Sequence, residues 1–191
     1  MPKLSIIIPA WNEEKTLEKL VDKVLKVRFP EDFEKEIVLM EDGSTDKTWE
    51  IMQQIKEKEE EIQTFSNGKN LGKSQNVRNG ILKSTGDYVI IQDADLEYDP
   101  NEIPELLNLM IKKNLDVVYG NRFGKKNKVI YWKNYFGNKC LSFISNLFTY
   151  LRIRTWIPDM EVCYKMMKGD IAREIAERIT SRSRFGLEPE I

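Results

Sequence analysis

The stretch Tyr88-Val89-Ile90-Ile91-Gln92-Asp93-Ala94-Asp95-Leu96-Glu97 decides how this 191-residue chain is read. A short β-branched run followed by two carboxylates one residue apart reads as a buried strand delivering acids at its exit. Period-two geometry predicts that Asp93 and Asp95 point to the same side, where they can share a divalent cation. Glu97 adds a third carboxylate two residues further on. An acidic loop gives the same spacing; the position directly after a central apolar strand favours the metal reading.

Strand and helix alternate on both sides of this stretch. Residues 4–8 read as a strand stopped by Pro9, and Leu17, Leu20, Val21, Val24 and Leu25 then recur at helical spacing with Glu18, Lys19, Asp22 and Lys23 opposite. Residues 37–40 read as a second strand ended by Asp42-Gly43, with Asp46 placed to cap a helix carrying Trp49, Met52 and Ile55. Residues 63–66 form a weak edge strand, 73–83 a helix closed by Gly86, 101–113 another helix and 116–119 a further strand. Repeated alternation predicts an α/β fold: a Rossmann-like, mostly parallel sheet with helices on both faces. Such sheets bind ligands beyond the C-terminal ends of their strands. Here those ends are residues 9–13, 41–44, 93–97 and 120–122, where polar residues and glycines collect.

Composition bounds the chemistry. With 41% hydrophobic residues the chain can bury one sizeable core. Residues 1–119 hold 16 Lys and Arg against 24 Asp and Glu, a balance of -8, whereas residues 120–191 hold 14 against 7, a balance of +7. A basic C-terminal third suggests an anionic partner, with a solvated face as the plainer reading. No RNP-type or helix-turn-helix pattern accompanies that charge, so nucleic acid is not the expected partner. The chain has no histidine, which excludes His-based zinc sites and Ser-His-Asp or Cys-His catalysis. Acid–base and metal work must fall to carboxylates. Cys140 and Cys163 make no disulfide framework and read as buried thiols of a reducing cytosol. No signal peptide is expected from the first residues, and the longest greasy stretch falls short of the roughly 20 apolar residues that span a bilayer.

Three more constellations accompany the acidic pair. Glu41-Asp42-Gly43-Ser44 can offer a carboxylate to ribose or base, although a turn and helix cap explain it too. Pro9-Ala10-Trp11-Asn12-Glu13 carries an aromatic able to stack on a nucleobase, or a helix start with a core Trp. Asn70-Leu71-Gly72-Lys73 places a glycine turn and a lysine at a helix N-terminus, a site that attracts phosphate oxygens and equally a plain cap. It lacks the spacing of a P-loop.

In this order the four resemble the inverting glycosyltransferases of the GT-A fold, and among them the dolichol-phosphate mannose synthase-like, polyprenyl-phosphate branch. Matching segments continue through Gly120-Asn121-Arg122-Phe123, Asp159-Met160-Glu161-Val162-Cys163-Tyr164-Lys165 and residues 185–191. The resemblance implies a GT-A fold with Pro9, Trp11, Glu13, Met40, Asp42, Lys73, Asp93 and Ala94 around the nucleotide. It implies that Asp93, Asp95 and Glu97 handle Mg2+ or Mn2+ and the diphosphate, that Arg122 and Lys133 face the acceptor phosphate, and that Asp95, Arg122 and Asp159 are the catalytic set. The implied reaction is a metal-dependent, inverting transfer from a UDP- or GDP-sugar to a polyprenyl or dolichyl phosphate, at the cytoplasmic face of a membrane. Trp11 stands where tyrosine is usual, Glu41 where aspartate is usual and Glu97 where the mannose synthases carry glutamine, which leaves the sugar and the base open. The family continues beyond the position of Ile191, so the chain reads as one truncated catalytic domain: a nucleotide-sugar half over 1–119 and an acceptor half over 120–191.

Alternatives remain at this point. A saccharide hydroxyl acceptor would need a general base, for which Asp159 or Glu161 is placed. A nucleotidyltransferase also gathers carboxylates at strand ends, but opens with a glycine-rich loop where this chain has Ala10-Trp11-Asn12-Glu13. A non-catalytic nucleotide-sugar-binding module is the third. Residues 131–151 read as a helix with Phe136, Cys140, Phe143, Ile144, Leu147 and Leu151 on one face, suited to a core or to a bilayer surface.

Overall fold

The computed structural model describes residues 1–30, 32–59, 61–120 and 162–180. Six strands, β1 (Lys3–Ala10), β2 (Glu34–Glu41), β3 (Ile62–Ser66), β4 (Tyr88–Ile91), β5 (Val117–Tyr119) and β6 (Lys165–Lys168), form one sheet in the order β3-β2-β1-β4-β6-β5. β1 pairs in parallel with β2 and β4, and β2 with β3, while β6 runs antiparallel to both β4 and β5. The expected α/β sheet is therefore mixed, with β6 as its one reversed strand.

The helices are α1 (Leu17–Lys26), α2 (Thr48–Lys58), α3 (Lys73–Lys83), α4 (Ile103–Lys113) and α5 (Gly169–Arg178). Right-handed crossovers carry α1 and α2 to one face as the chain steps from β1 to β3, and α3 to the other as it returns to β4. The contacts agree: α1 touches α2, whereas α3 touches β1, β2 and α5. α3 lies close because Gly80 faces the sheet; a Cβ there would meet Ile7 Cγ2 at 2.5 Å and Met40 Cγ at 2.8 Å. β1 and β2 supply the centre of the core, with Leu4, Ile6, Ile7, Ile8, Ile37, Val38 and Leu39 fully buried. Each such side chain contributes about 1.5–3 kcal/mol relative to exposure.

Strand β1 does not stop before Pro9, as its sequence predicts, but runs through it to Ala10. Ile7 accepts from Gln92 N (2.9 Å) on the β4 side, and Ala10 accepts from Asp42 N (3.1 Å) on the β2 side. Backbone groups alternate sides, so the nitrogen of Pro9 faces the β4 side, where pairing has ended at Ile7–Ile91. No ladder bond is lost.

A cavity of about 570 Å3 opens at the opposite pole, by the N-terminal ends of the strands, and includes Lys3, Phe29, Phe33, Lys35, Glu36 and Gln63 in its lining. Its size does not make it the site, because its Lys35 and Glu36 are spent internally. Lys35 Nζ donates to Val24 O (3.2 Å) and Leu25 O (2.8 Å). Buried Glu36 accepts from Ser5 Oγ, Gln63 Nε2 (3.0 Å), Thr85 N (2.9 Å) and Thr85 Oγ1 (2.8 Å), tying β1, β2, β3 and the turn before β4 together. Burial pushes the Glu36 carboxyl up, but the hydrogen bonds from Ser5 and Thr85 outweigh it and hold it below the ordinary value of 4.5. A depressed carboxyl contributes stability above its unfolded value and loses it as pH falls through the folded one. Glu36→Gln should therefore show less loss of stability between pH 7 and pH 3.5 than the wild type in urea melts, and lower stability at pH 7 by on the order of 2 kcal/mol.

Candidate functional site

A cleft of about 360 Å3 opens at the C-terminal ends of β1, β2 and β4, walled by three turns and the start of α3. Pro9, Ala10, Trp11 and Glu13 line it from the first turn, Asp42 from the second, Asn70, Gly72, Lys73 and Asn76 from the entry to α3, and Asp93, Ala94 and Asp95 from the third.

The first turn is fastened to the second. Asn12, at φ 59°, donates its N–H to Ser44 Oγ (3.0 Å) and accepts from Thr45 N (2.8 Å), while Glu13 N donates to Thr48 Oγ1 (2.8 Å). These bonds leave the Trp11 side chain 45% exposed at the cleft. Burial raises the Glu13 carboxyl above its ordinary value; the Thr16 hydroxyl opposes the shift, and the charges of Asp95, Asp93 and Asp46 add to it. Glu13 thus feels the acidic pair across the cleft.

The second turn is built around two buried acids. Glu41 accepts from Ser44 N and from Ser66 Oγ (2.6 Å), so it shapes the turn and does not line the cleft. Asp42 Oδ1 accepts from Asn67 Nδ2 and Leu71 N, and Oδ2 from Gly72 N, each at 2.9 Å. Of roughly four acceptor positions on a carboxylate, three are taken. Asp42 thus holds the 70–72 turn against β2, and, lining the cleft, it keeps about one acceptor position for a ligand. Gly43, at φ +66°, lets the two turns touch, since a Cβ there would lie 2.4 Å from Asn70 N. Met40 is displaced from its expected place; its side chain is buried against Gly80 and does not line the cleft.

Asn76 is the lining residue that the sequence reading missed. It sits one turn into α3, donating to Met40 O (2.9 Å) and accepting from Asn67 Nδ2 (2.9 Å), while Asn79 Nδ2 donates to Asn67 Oδ1 (2.9 Å). Its signal was a polar residue on the helix face that also carries the apolar Val77 and Gly80.

The third turn corrects the period-two argument. β4 ends at Ile91, and residues 94–96 turn, with Leu96 at φ 64°. Asp93 and Asp95 meet at the cleft through this turn and not through strand alternation. Lys73 Nζ lies 2.9 Å from both oxygens of Asp93. Asp95 accepts from Glu97 N (3.0 Å), and although the residue is solvent-accessible, partial burial and then the neighbouring Asp93 push its carboxyl up. Among the described residues no three acidic or cysteine side chains form a metal cage, so Glu97 does not complete one with the pair. The remaining donor set still fits a hard divalent cation, because Mg2+ is commonly held by one or two carboxylates together with substrate phosphates. A cation would also relieve the repulsion that raises Asp95.

Residues 162–164 buttress this turn from behind. Tyr164 Oη donates to Gln92 Oε1 (2.6 Å), and Gln92 Nε2 donates to Asp93 O (3.0 Å). Cys163 N donates to Tyr98 Oη (3.0 Å), and the Tyr98 and Tyr164 rings pack with centroids 4.8 Å apart. Cys163 is a buried free thiol, pushed well above its ordinary value by burial and then by Asp93. Arg122, Lys133, Asp159, Glu161, Cys140 and the helix expected over residues 131–151 lie outside the described residues.

An exposed aromatic, a helix N-terminus with a lysine and a carboxylate pair in one cleft suit a nucleoside, its diphosphate and a divalent cation. Residues 5–176 match glycosyl transferase family 2, and the chain belongs to that family. It is 35% identical over 133 residues to a dolichol-phosphate mannosyltransferase of Pyrococcus furiosus, covering 70% of this chain and 37% of that one. It is 34% identical over 128 residues to an undecaprenyl-phosphate 4-deoxy-4-formamido-L-arabinose transferase of Photorhabdus laumondii, covering 66% and 39%. The chain thus spans well under half the length of either relative. Its fold matches a mannosyltransferase of Pyrobaculum calidifontis solved with GDP-Man and Mn2+, at a TM-score of 0.62, 18% identity and coverage of 93% and 46%, and is the GT-A fold. Among the described residues no helix is long and apolar enough to cross a membrane.

Proposed function

We propose that this chain carries the catalytic centre of a metal-dependent, inverting glycosyltransferase that moves a sugar from a UDP- or GDP-linked donor to a polyprenyl or dolichyl phosphate. The observation that carries the reading is the convergence of Trp11, Lys73, Asp93 and Asp95 on one cleft at the strand ends. The two relatives named for lipid-phosphate acceptors support the acceptor class. Residues 1–119 form the donor half and residues 120–191 the acceptor half, working at the cytoplasmic face of a membrane.

Trp11 stacks on the base, Glu13 and Asp42 frame the nucleoside, and the N-terminus of α3 with Lys73 receives phosphate oxygens. Held by Asp93 and Asp95, Mg2+ or Mn2+ supplies charge neutralisation for the departing nucleoside diphosphate. An acceptor phosphate oxygen forms a bond to the anomeric carbon from the face opposite the departing diphosphate. The bond from that carbon to the diphosphate breaks, and its electron pair leaves on the β-phosphate oxygen, inverting the centre. The acceptor is already an anion, so no general base is required; Arg122 and Lys133 hold it in line.

The test follows transfer of a labelled sugar to polyprenyl phosphate by the full-length protein. Arg122→Ala and Lys133→Ala should cut transfer by at least tenfold, and Asp159→Asn only modestly. A hydroxyl acceptor reverses the ranking, because removing a general base typically costs on the order of 10²–10⁴ in rate. A dead Asp159 variant beside near-normal basic variants contradicts the lipid-phosphate acceptor.

A further inference from the structure

Lys73 occupies a contested position. Its ammonium lies 2.9 Å from each oxygen of Asp93, so it sits where a cation shared by Asp93 and Asp95 would draw on the same oxygens. The lysine is the first residue of α3, directly after Gly72 at φ +88°, and lines the same cleft as the turn it grips. The pair is partly solvated, with side-chain exposures of 29% for Lys73 and 16% for Asp93, which makes it a reversible contact and not a sealed buried ion pair. The lysine stem is flexible, and its point charge takes carboxylate or phosphate oxygens equally well. The backbone of Asp93 is anchored by Gln92 and Tyr164 and its side chain is short, so the lysine, with its long stem, is the more mobile partner of the pair.

We propose that Lys73 is a displaceable counter-ion of Asp93: it holds the carboxylate until a divalent cation arrives with a nucleoside diphosphate, then turns from Asp93 to the diphosphate. The inference rests on the metal and diphosphate reading of the cleft. A bare cation must displace the lysine and leave it without that anion, whereas a cation accompanied by diphosphate supplies a replacement. The cleft therefore discriminates against free metal in favour of the metal–nucleotide pair. By linkage, nucleotide and metal each strengthen the binding of the other, and Lys73 is part of that coupling.

The experiment measures Mn2+ binding by electron paramagnetic resonance for wild type, Lys73→Met, Lys73→Arg and Asp95→Ala, alone and with UDP or GDP, after circular dichroism has confirmed the fold of each. Without nucleotide, Lys73→Met should bind Mn2+ about tenfold more tightly than wild type, and Lys73→Arg, which keeps the charge, should stay near wild type. With nucleotide, the tightening of Mn2+ binding should be at least severalfold smaller in Lys73→Met than in wild type. Equal or weaker binding of bare Mn2+ by Lys73→Met, while wild type still takes Mn2+ with nucleotide and Asp95→Ala does not, overturns the counter-ion role alone. If wild type takes no Mn2+ even with nucleotide, the metal and diphosphate reading fails with it.

Discussion

Asp95→Ala is expected to remove the metal-supported part of nucleotide binding while leaving the protein folded. The carboxyl lies at a solvent-accessible turn and accepts from the backbone of that turn, Glu97 N included, so little of the core depends on it. A surface change of this kind typically moves stability by no more than about 0.5 kcal/mol. The effect on binding is of another order. With Asp93 already engaged by Lys73, Asp95 is the member of the acidic pair left to hold a cation. Altering even the residues behind a metal ligand typically lowers metal affinity 10–100-fold, and deleting a ligand from so sparse a set should exceed ~100-fold. Titration of UDP and GDP in the presence of Mn2+, beside a thermal melt, reads both quantities. Unchanged Mn2+-supported affinity in Asp95→Ala removes the metal assignment.

Asp42→Ala should fail differently, losing stability and nucleotide affinity together. Removing the carboxylate takes an acceptor from Leu71 N, from Gly72 N and from one N–H of Asn67 Nδ2 around a site only 2% exposed, and Gly72 N keeps Asn70 Oδ1 (3.1 Å) as a second acceptor. Buried donors without partners cost about 1–3 kcal/mol each where water cannot reach them; with the turn at the rim able to relax, a total of about 3 kcal/mol is expected. The Asn70–Lys73 turn forms the phosphate side of the cleft, so nucleotide binding should weaken by at least tenfold in parallel. Asp42→Asn, which keeps one carbonyl acceptor, should lie between wild type and Asp42→Ala in both respects. Urea denaturation with nucleotide titration of the same samples checks this. Loss of nucleotide binding at unchanged stability would instead make Asp42 a direct ligand contact.

The contrast between these two acids shows where sequence reading reached its limit. Local punctuation was legible: α3 spans Lys73–Lys83 as its bracketing by Gly72 and Gly86 predicts, and β4 ends one residue before its polar run. The acidic pair was found for a partly wrong reason, since a turn with Leu96 at positive φ, and not the pleat, brings it to the cleft. What spacing could not reveal were partners distant in the chain. Asp42 is claimed by donors 25 to 30 residues away, and Gln92 meets Tyr164 across 72. The reversal of β6 was hidden because its four residues, Lys165-Met166-Met167-Lys168, carry no period that fixes a direction; only pairing with β4 and β5 does so. Pro9 misled for a related reason, because whether a proline ends a strand depends on which neighbour its nitrogen faces.

The central claim is that the cleft of Trp11, Lys73, Asp93 and Asp95 takes a nucleoside-diphosphate sugar together with a divalent cation. Calorimetric titration of the wild-type protein with UDP-glucose, UDP-GlcNAc and GDP-mannose, in Mn2+ and in chelator, tests it most directly. The account predicts binding of at least one donor that is at least tenfold tighter with Mn2+ than with chelator. Donor affinity that is the same in both, or no binding of any nucleotide sugar in Mn2+, would contradict it.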